Sequence, residues 1–418
     1  MILANGSLYS SEQQGTLLAD LERRINETRR SRKLPVGTVI QALDQMAVKL
    51  EQGCFDALIP EPELRDSVNF AAGLLHSNAL LRRLRNELPA LPPQQGRLQI
   101  RREPLGTLLH IAAGNMDALP AFSVIEGLLT GNINLLKLPQ ADKGLTVRFF
   151  QELLQIEPAL TDYIYVFDTP SSDVSGMQQL AACSDGIIVW GGDAAVSAVR
   201  QLASPGCKLI EWGHRLGFCY ISGWTDMDAA LSDLAVHIIT TRQLLCSSCQ
   251  VIYLDTDNPA DIMAFCEHFL PVLEQAAANV AADIGADAER TLRRYTAKLE
   301  RILSGDTPQE QRVLQGKGCS VTACTDRALE LSEMFGNVLV KPLPRTDLLS
   351  VLRESKGYLQ TAGLICPAEQ REALTDLLIR SGVNRIMTPG GMSGTFPCEA
   401  HDGEYPLQRY TRIVNILQ

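Results

Sequence analysis

Apolar residues recur at three- and four-residue intervals through the first part of the chain. Leu17, Leu18, Leu21 and Ile25 form one stripe, Val39, Ile40, Leu43, Met46, Ala47 and Leu50 a second, and Leu74, Leu75, Leu80 and Leu81 a third. This spacing puts each set on one face of a helix, so residues 10–90 are predicted to be helical. Leu88-Pro89-Ala90-Leu91-Pro92-Pro93 ends the pattern, because proline lacks an amide donor and restricts the residue before it.

From Leu98 the pattern changes to short apolar runs separated by helical stretches. Strands are expected at Leu108–Ala112, Ile133–Leu138, Tyr163–Phe167, Gly186–Trp190 and Lys208–Glu211, with helices at 117–129, 142–155, 174–183 and 193–203. Such alternation predicts a parallel sheet with helices on both faces. Ligands of such sheets usually bind beyond the carboxyl ends of the strands. A second α/β block starts near Met227, with a helix reaching Leu245, a strand at 250–255, and a long helical region from Pro259 to Leu303 interrupted near Gly285. The polar, glycine-bearing stretch Thr307–Cys324 is predicted to be a loop. A strand at Asn337–Lys341, a helix at Asp347–Lys356, a strand at Leu359–Cys366, a helix to Ser381 and a glycine-rich turn at Pro389–Gly394 follow. The division expected is 1–90, 91–226, 227–390 and 391–418.

Length and charge narrow this picture. The 418 residues exceed the roughly 250–300 at which single cores stop growing, which favours two lobes. A formal net charge of −10 offers no general attraction to nucleic acid or anionic membranes. No apolar run is long enough to span a bilayer, and Met1–Gly6 lacks the basic flank and apolar core of a secretory leader. Eleven cysteines without a regular framework fit a reduced, cytoplasmic protein. Cys246 and Cys249 form a C-x-x-C, but no second such pair or nearby histidine completes a structural zinc set, so no metal is expected. A redox dithiol stays open.

Several residues could carry chemistry. Cys246, in Leu244-Leu245-Cys246-Ser247-Ser248-Cys249-Gln250, lies where a helical pattern meets a strand. It is a candidate nucleophile, although burial as a small inert side chain is the commoner fate of a free cysteine. Asn115 follows an apolar strand and could donate to an oxyanion or simply shape a turn. Lys137 ends the run Gly131-Asn132-Ile133-Asn134-Leu135-Leu136-Lys137, where an ammonium can meet a ribose or phosphate. Gly191 and Gly192 separate a strand from a helix and would let a pyrophosphate approach backbone amides. The G-x-G-x-x-G fingerprint is absent, so an ordinary Rossmann dehydrogenase is not supported. Glu211 is a candidate general base, and Glu333 could present a carboxylate to a ribose. His214 and His401 are rival bases that would make Cys246 part of a Cys-His protease or acyltransferase.

The order of Asn115, Lys137, Glu211, Cys246 and Glu333 resembles that of the aldehyde dehydrogenase superfamily: an oxyanion asparagine, a lysine in G-N-x-x-x-x-K, a glutamate, a nucleophilic cysteine and E-x-F-G. The closer resemblance is to its LuxC branch of acyl-CoA reductases. It is carried by Ala113-Gly114-Asn115, Trp190-Gly191-Gly192-Asp193, Cys246-Ser247-Ser248 with Gln250, Tyr358-Leu359-Gln360-Thr361, Gly382-Val383-Asn384-Arg385 and His401-Asp402-Gly403, across residues 70–418. The resemblance implies an aldehyde dehydrogenase-like α/β fold. Its parts would be an N-terminal helical region, a nicotinamide-cofactor domain at 91–226, a catalytic domain at 227–390, and a segment at 391–418 returning to the cofactor domain or an oligomer interface.

The implied activity is reduction of an acyl thioester, either acyl-CoA or a partner-bound acyl group, to an aldehyde with NADPH or NADH. Cys246 would be acylated, while Asn115 and the Cys246 backbone N–H hold the oxyanion. An acyl-activating synthetase or carrier protein, and a homo-oligomer, are the implied partners. Three departures matter. Gln140 stands where the oxidising relatives carry a ribose-binding carboxylate, and a neutral amide repels a 2′-phosphate less, which favours NADPH. Trp212-Gly213-His214 replaces the family's leucine and paired glycines after Glu211, and Cys249 replaces the branch's usual proline, adding a thiol for a disulfide or a second nucleophile. The rival functions are a conventional aldehyde dehydrogenase, using water activated by Glu211, and a non-reducing acyl carrier or scaffold.

Overall fold

The alternating apolar runs assemble two main sheets, one in each of two units, Met1–Gly213 with Pro397–Gln418 and His214–Phe396. The computed structural model describes residues 1–30, 33–59, 62–92, 97–112, 119–140, 142–281, 283–303 and 312–417.

In the first unit the strands are β1 (Ile2–Ala4), β2 (Ser7–Tyr9), β3 (Leu98–Pro104), β4 (Thr107–Ile111), β5 (Ile133–Lys137), β6 (Ile164–Phe167), β7 (Gly186–Trp190) and β8 (Lys208–Trp212). Seven of them form one sheet in the order β2-β1-β6-β5-β4-β7-β8, with β6 through β8 parallel. The chain steps from β4 outward through β5 to β6, then returns to the other side of β4 with β7 and β8. That reversal opens a crevice beyond the carboxyl ends of β4 and β7, the usual ligand position of a doubly wound sheet. The central strands are mostly apolar because both faces are covered: Leu109 and Val189 join a core with the helix Leu119–Leu129, whereas Leu108, Ile188 and Ile210 face Tyr410.

The N-terminal helices Gln14–Arg30 and Val36–Glu51 bury the predicted stripes, and Leu21, Leu43 and Met46 share a core with Leu135 and Phe150. An N-terminal hairpin, unforeseen from the periodicity, extends the sheet. β1 pairs with β2 around Asn5 and Gly6 at φ 52° and 72° and antiparallel to β6. Asn-Gly favours the two positive φ angles of such a turn.

The second unit contains β9 (Leu216–Ile221), β10 (Cys249–Leu254), β11 (Arg312–Gly316), β12 (Cys319–Ala323), β13 (Asn337–Pro342), β14 (Leu359–Ile365) and β15 (Arg385–Met387), in the order β11-β12-β13-β10-β9-β14-β15. All neighbours are parallel except the β11/β12 pair. Period-two alternation splits two cores across the sheet. Cys219, Ile221, Ile252 and Leu254 pack on the helices Asp228–Thr241 and Pro259–Ala278, and Phe218, Tyr220, Val251 and Tyr253 on Leu348–Glu354 and Arg371–Ser381.

The predicted loop at Thr307–Cys324 is corrected here. Residues 312–323 form the β11/β12 hairpin, whose turn uses Gly318 at φ 80°, and Cys319, Val321 and Ala323 are buried. Residues 307–311 lie outside the described set. The C-terminal strand β16 (Thr411–Leu417) returns to the first unit and pairs antiparallel along all of β3. Among the described residues, no helix is long and apolar enough to cross a membrane.

Candidate active site

In the first unit, Lys137, Ile111, Val189 and Glu211 occupy one row across β5, β4, β7 and β8. At about 4.8 Å per strand, the backbones of Lys137 and Glu211 are separated by roughly 14 Å. Lys137 is 5% exposed, its Nζ donates to Ser171 Oγ at 3.1 Å, and burial lowers its pKa from the usual lysine value. Among the described residues no carboxylate pairs with it. Gln140, past the end of β5, is exposed.

Trp190 ends β7 at the crevice, with its indole N–H donating to Ser123 Oγ at 3.1 Å and its ring stacked 5.4 Å from Trp212. Gly191 and Gly192 then lead into the helix Asp193–Leu202, and a side chain at Gly192 would stand in open space before its first amides. His401 packs against both tryptophans, at 5.3 and 4.9 Å. Glu211 is clamped by Arg200 through two hydrogen bonds of 2.6 and 2.7 Å, and these hold its carboxyl below the ordinary carboxylate range. A carboxylate so held is a weak base. Asn115 lies outside the described residues.

In the second unit the chemistry gathers at the amino ends of the strands, opposite to the usual expectation for such sheets. Cys246 is exposed on the turn between the helix Asp228–Thr241 and β10. Arg242 and Gln243 open this turn at φ 50° and 58°, conformations that tertiary contacts must hold in place. Gln243 is fully buried. Its amide donates to Cys249 O and Ser332 Oγ, each at 3.0 Å, and its carbonyl accepts from Gly336 N at 3.1 Å. Gln250 reinforces the same bond set, donating to Gln243 O at 2.8 Å and accepting from Ser332 Oγ at 2.8 Å.

The partner segment, Glu333-Met334-Phe335-Gly336, also runs through positive φ, at 60°, 52° and 85° for its last three residues, and Phe335 N donates to Arg242 O at 3.0 Å. Two left-handed turns therefore latch each other, and Glu333 is half-buried in one of them. Gly217 completes the seat: a β-carbon there would lie 2.5 Å from Ser248 O and 2.8 Å from Ser247 O. Its absence lets the turn that carries Cys246 cross β9 toward β14, where Gln360 Nε2 donates to Cys246 Sγ at 3.4 Å.

Behind the turn, Cys249 N donates to His237 Nε2 at 3.1 Å, so the ring proton sits on Nδ1 and points to Ser393 Oγ at 3.4 Å, itself 3.2 Å from Ser247 Oγ. Burial pushes His237 down to about 4, and it does the same to His110, which sits between Ser123 and Asn134 in the first unit. Unfolded histidine takes a proton near 6.5. The unfolded chain therefore binds protons first as pH falls, and native stability is lost between about pH 6.5 and pH 4, by roughly 3 kcal/mol for each of the two residues. Urea midpoints measured across that range should fall, and His237→Gln should flatten the fall. An unchanged slope would count against a buried neutral ring.

Cys249 is buried, donates its thiol to Val251 O at 3.5 Å, and has its pKa driven well up by burial. This keeps it protonated and removes it as a second nucleophile. His214 packs at a tilt against Tyr358, with ring centroids 6.1 Å apart. His237, Gly217, Gln243 and Ser332 were not singled out from the sequence; only Gln250 and Gln360 stood within quoted motifs. The one local signal was Gly217 opening an apolar strand, a position that suggests close backbone approach.

Two parallel-sheet units, one with a doubly wound crevice and one with a latched cysteine turn, define an aldehyde dehydrogenase-like fold. Solved structures agree. The NADP-dependent glyceraldehyde-3-phosphate dehydrogenase from Bacillus halodurans C-125, complexed with NADP, superposes with a TM-score of 0.72 at 14% identity, covering 100% of this chain and 98% of that one. Lactaldehyde dehydrogenase from Escherichia coli gives 0.70 at 16% identity, covering 98% and 92%.

The sequence profile described as Acyl-CoA reductase (LuxC) matches residues 56–413, and the chain belongs to that family. It is 26% identical over 338 residues to long-chain acyl-protein thioester reductase 2 of Photobacterium leiognathi, covering 77% of this chain and 66% of that protein. It is also 26% identical over 385 residues to the long-chain acyl-protein thioester reductase of Aliivibrio fischeri, covering 89% and 74%.

Proposed function

We propose that the chain reduces an acyl thioester to an aldehyde, with Cys246 as the acyl acceptor. The observation that carries this reading is the turn itself: an exposed thiol, hydrogen-bonded by a buried amide, on a loop latched by Gln243, Gln250 and Ser332. Family membership and the relatives' names, acyl-protein thioester reductases, support the same chemistry. The Cys246 thiolate attacks the acyl carbon, a new C–S bond forms as the donor's acyl C–S bond breaks, and the donor leaves as a thiol by taking up the proton that Cys246 gave up on ionising. Asn115 and the Cys246 backbone N–H hold the oxyanion. After reduction the C–S bond breaks, the oxyanion closes to the aldehyde carbonyl, and the thiolate is restored.

A bound nicotinamide cofactor supplies the hydride. The first unit suits such a group. Lys137 is a buried cation without a carboxylate among the described residues, and Gly192 leaves room before a helix N-terminus. Gln140 presents no charge to a 2′-phosphate, so NADPH is the proposed form, with Glu333 as a further cofactor contact. Clamping of Glu211 by Arg200 argues against activation of a hydrolytic water, and Glu211 is proposed to act as a fixed anion of the site.

Lys137→Met is expected to raise the KM for NADPH about tenfold while leaving Cys246 acylation, which needs no cofactor, at its original rate. Equal slowing of both steps would remove Lys137 from the cofactor site. The activity itself is tested by supplying acyl-CoAs of varied length with NADPH and assaying aldehyde. Sustained acid production from aldehyde and NADP⁺ without coenzyme A would instead indicate the hydrolytic enzyme.

A further inference from the structure

We infer that Gln360 is a catalytic hydrogen-bond donor that holds the Cys246 sulfur as a thiolate and steadies it again when the aldehyde departs. The inference rests on the reading of Cys246 as the acyl acceptor. Gln360 lies at the amino end of β14, is 5% exposed, and directs Nε2 at Cys246 Sγ from 3.4 Å. The orientation of its amide is set by Thr361, whose hydroxyl donates to Gln360 Oε1 at 3.3 Å, so the nitrogen is the end that faces sulfur. Its strand neighbours Leu359, Thr361 and Ala362 are buried, which fixes the backbone that carries it.

Reach is the second requirement, since β9 separates β14 from β10. Gly217 on β9 lies so close under the carbonyls of Ser247 and Ser248 that a methyl group would not fit. The turn can therefore settle low enough for Cys246 to meet an amide from two strands away. An N–H aimed at sulfur favours its anionic form, and hydrogen bonds to charged groups are worth about tenfold or more in an equilibrium. The bond matters twice in the cycle. It raises the thiolate population before attack, and it stabilises the same thiolate as the leaving group when the C–S bond of the reduced adduct breaks. Between those events the sulfur is a thioester, a poorer acceptor, so the donor favours the ionic states over the resting adduct.

The test uses full-length protein and Gln360→Leu, which keeps the volume but removes the donor, with Gln360→Glu, which places a carboxylate against the sulfur. Iodoacetamide alkylation of Cys246 is followed by peptide mass spectrometry from pH 6 to 10, with exposed Cys54 as an internal reference. The expected result is that half-maximal alkylation of Cys246 moves upward by about one pH unit in Gln360→Leu and further in Gln360→Glu, so that neutral-pH alkylation slows about tenfold or more. Cys54 should keep its profile. An unmoved Cys246 profile in either folded variant, with thermal unfolding matching the wild type, overturns the inference. Because alkylation needs neither acyl donor nor NADPH, its outcome is separate from that of acyl transfer, which is scored on wild-type protein with acyl-CoA.

Discussion

Cys246→Ala is expected to reduce thioester-dependent NADPH oxidation by at least about 10⁴-fold, the scale on which nucleophile knockouts act. The substitution removes the only atom proposed to form the covalent bond, and the neighbouring thiol cannot replace it. Cys249 is buried, protonated and bonded to Val251 O. Stability should barely change. The Cys246 side chain is exposed, and the turn is held by bonds from other residues, including Leu245 N to Ser248 Oγ at 3.1 Å and the Gln243 set. Steady-state NADPH oxidation and the thermal midpoint, measured on the same preparation, check the prediction. Retention of more than a few per cent of wild-type turnover would place the acyl acceptor elsewhere.

Gln243→Ala should lower stability by about 3 kcal/mol and slow Cys246 acylation by about 100-fold. The first figure follows from three buried partners, Cys249 O, Ser332 Oγ and Gly336 N, losing hydrogen bonds in a place water does not reach. Each lost partner costs about 1–3 kcal/mol, partly offset by relaxation. The second follows from geometry. Gln243 holds the turn carrying Cys246 to the Ser332–Gly336 segment, and misplacement of a nucleophile by about 1 Å is enough for a loss of that size. Urea unfolding gives the stability term and the rate of acyl-enzyme formation the kinetic one. A stability loss with unchanged acylation would show that the latch is structural only.

How far the sequence foretold this depends on which contacts are local. The parallel strands were legible because runs such as Ile187-Ile188-Val189 are buried on both faces and separated by helical stretches. The β11/β12 hairpin was read as loop because its inward residues Cys319, Val321 and Ala323 alternate with polar ones in a glycine-bearing setting. At the N-terminus, the Asn5-Gly6 turn carried a hairpin signal that helical periodicity does not register.

For the site, the order of candidate residues was readable but their supports were not. Gln243 meets Ser332 from 89 positions away and Gln360 meets Cys246 from 114. In the linear chain each is an ordinary polar residue, and only the register of β13, β10, β9 and β14 brings them together. The clamp of Arg200 on Glu211 was hidden for a related reason. A glutamate at a strand end reads as a base until the neighbouring helix is seen to supply the guanidinium.

The central claim is that an acyl group passes through Cys246 on its way to the aldehyde. Its most direct measurement is the intact mass of the wild-type protein after mixing with an acyl-CoA, before and after addition of NADPH. The predicted result is a gain of one acyl group, mapped to the Cys246 peptide and absent from Cys246→Ala, that disappears on addition of NADPH as one equivalent of aldehyde is released. Failure of any acyl-CoA to leave an acyl group on Cys246, or an acyl group that persists when NADPH is added, would contradict it.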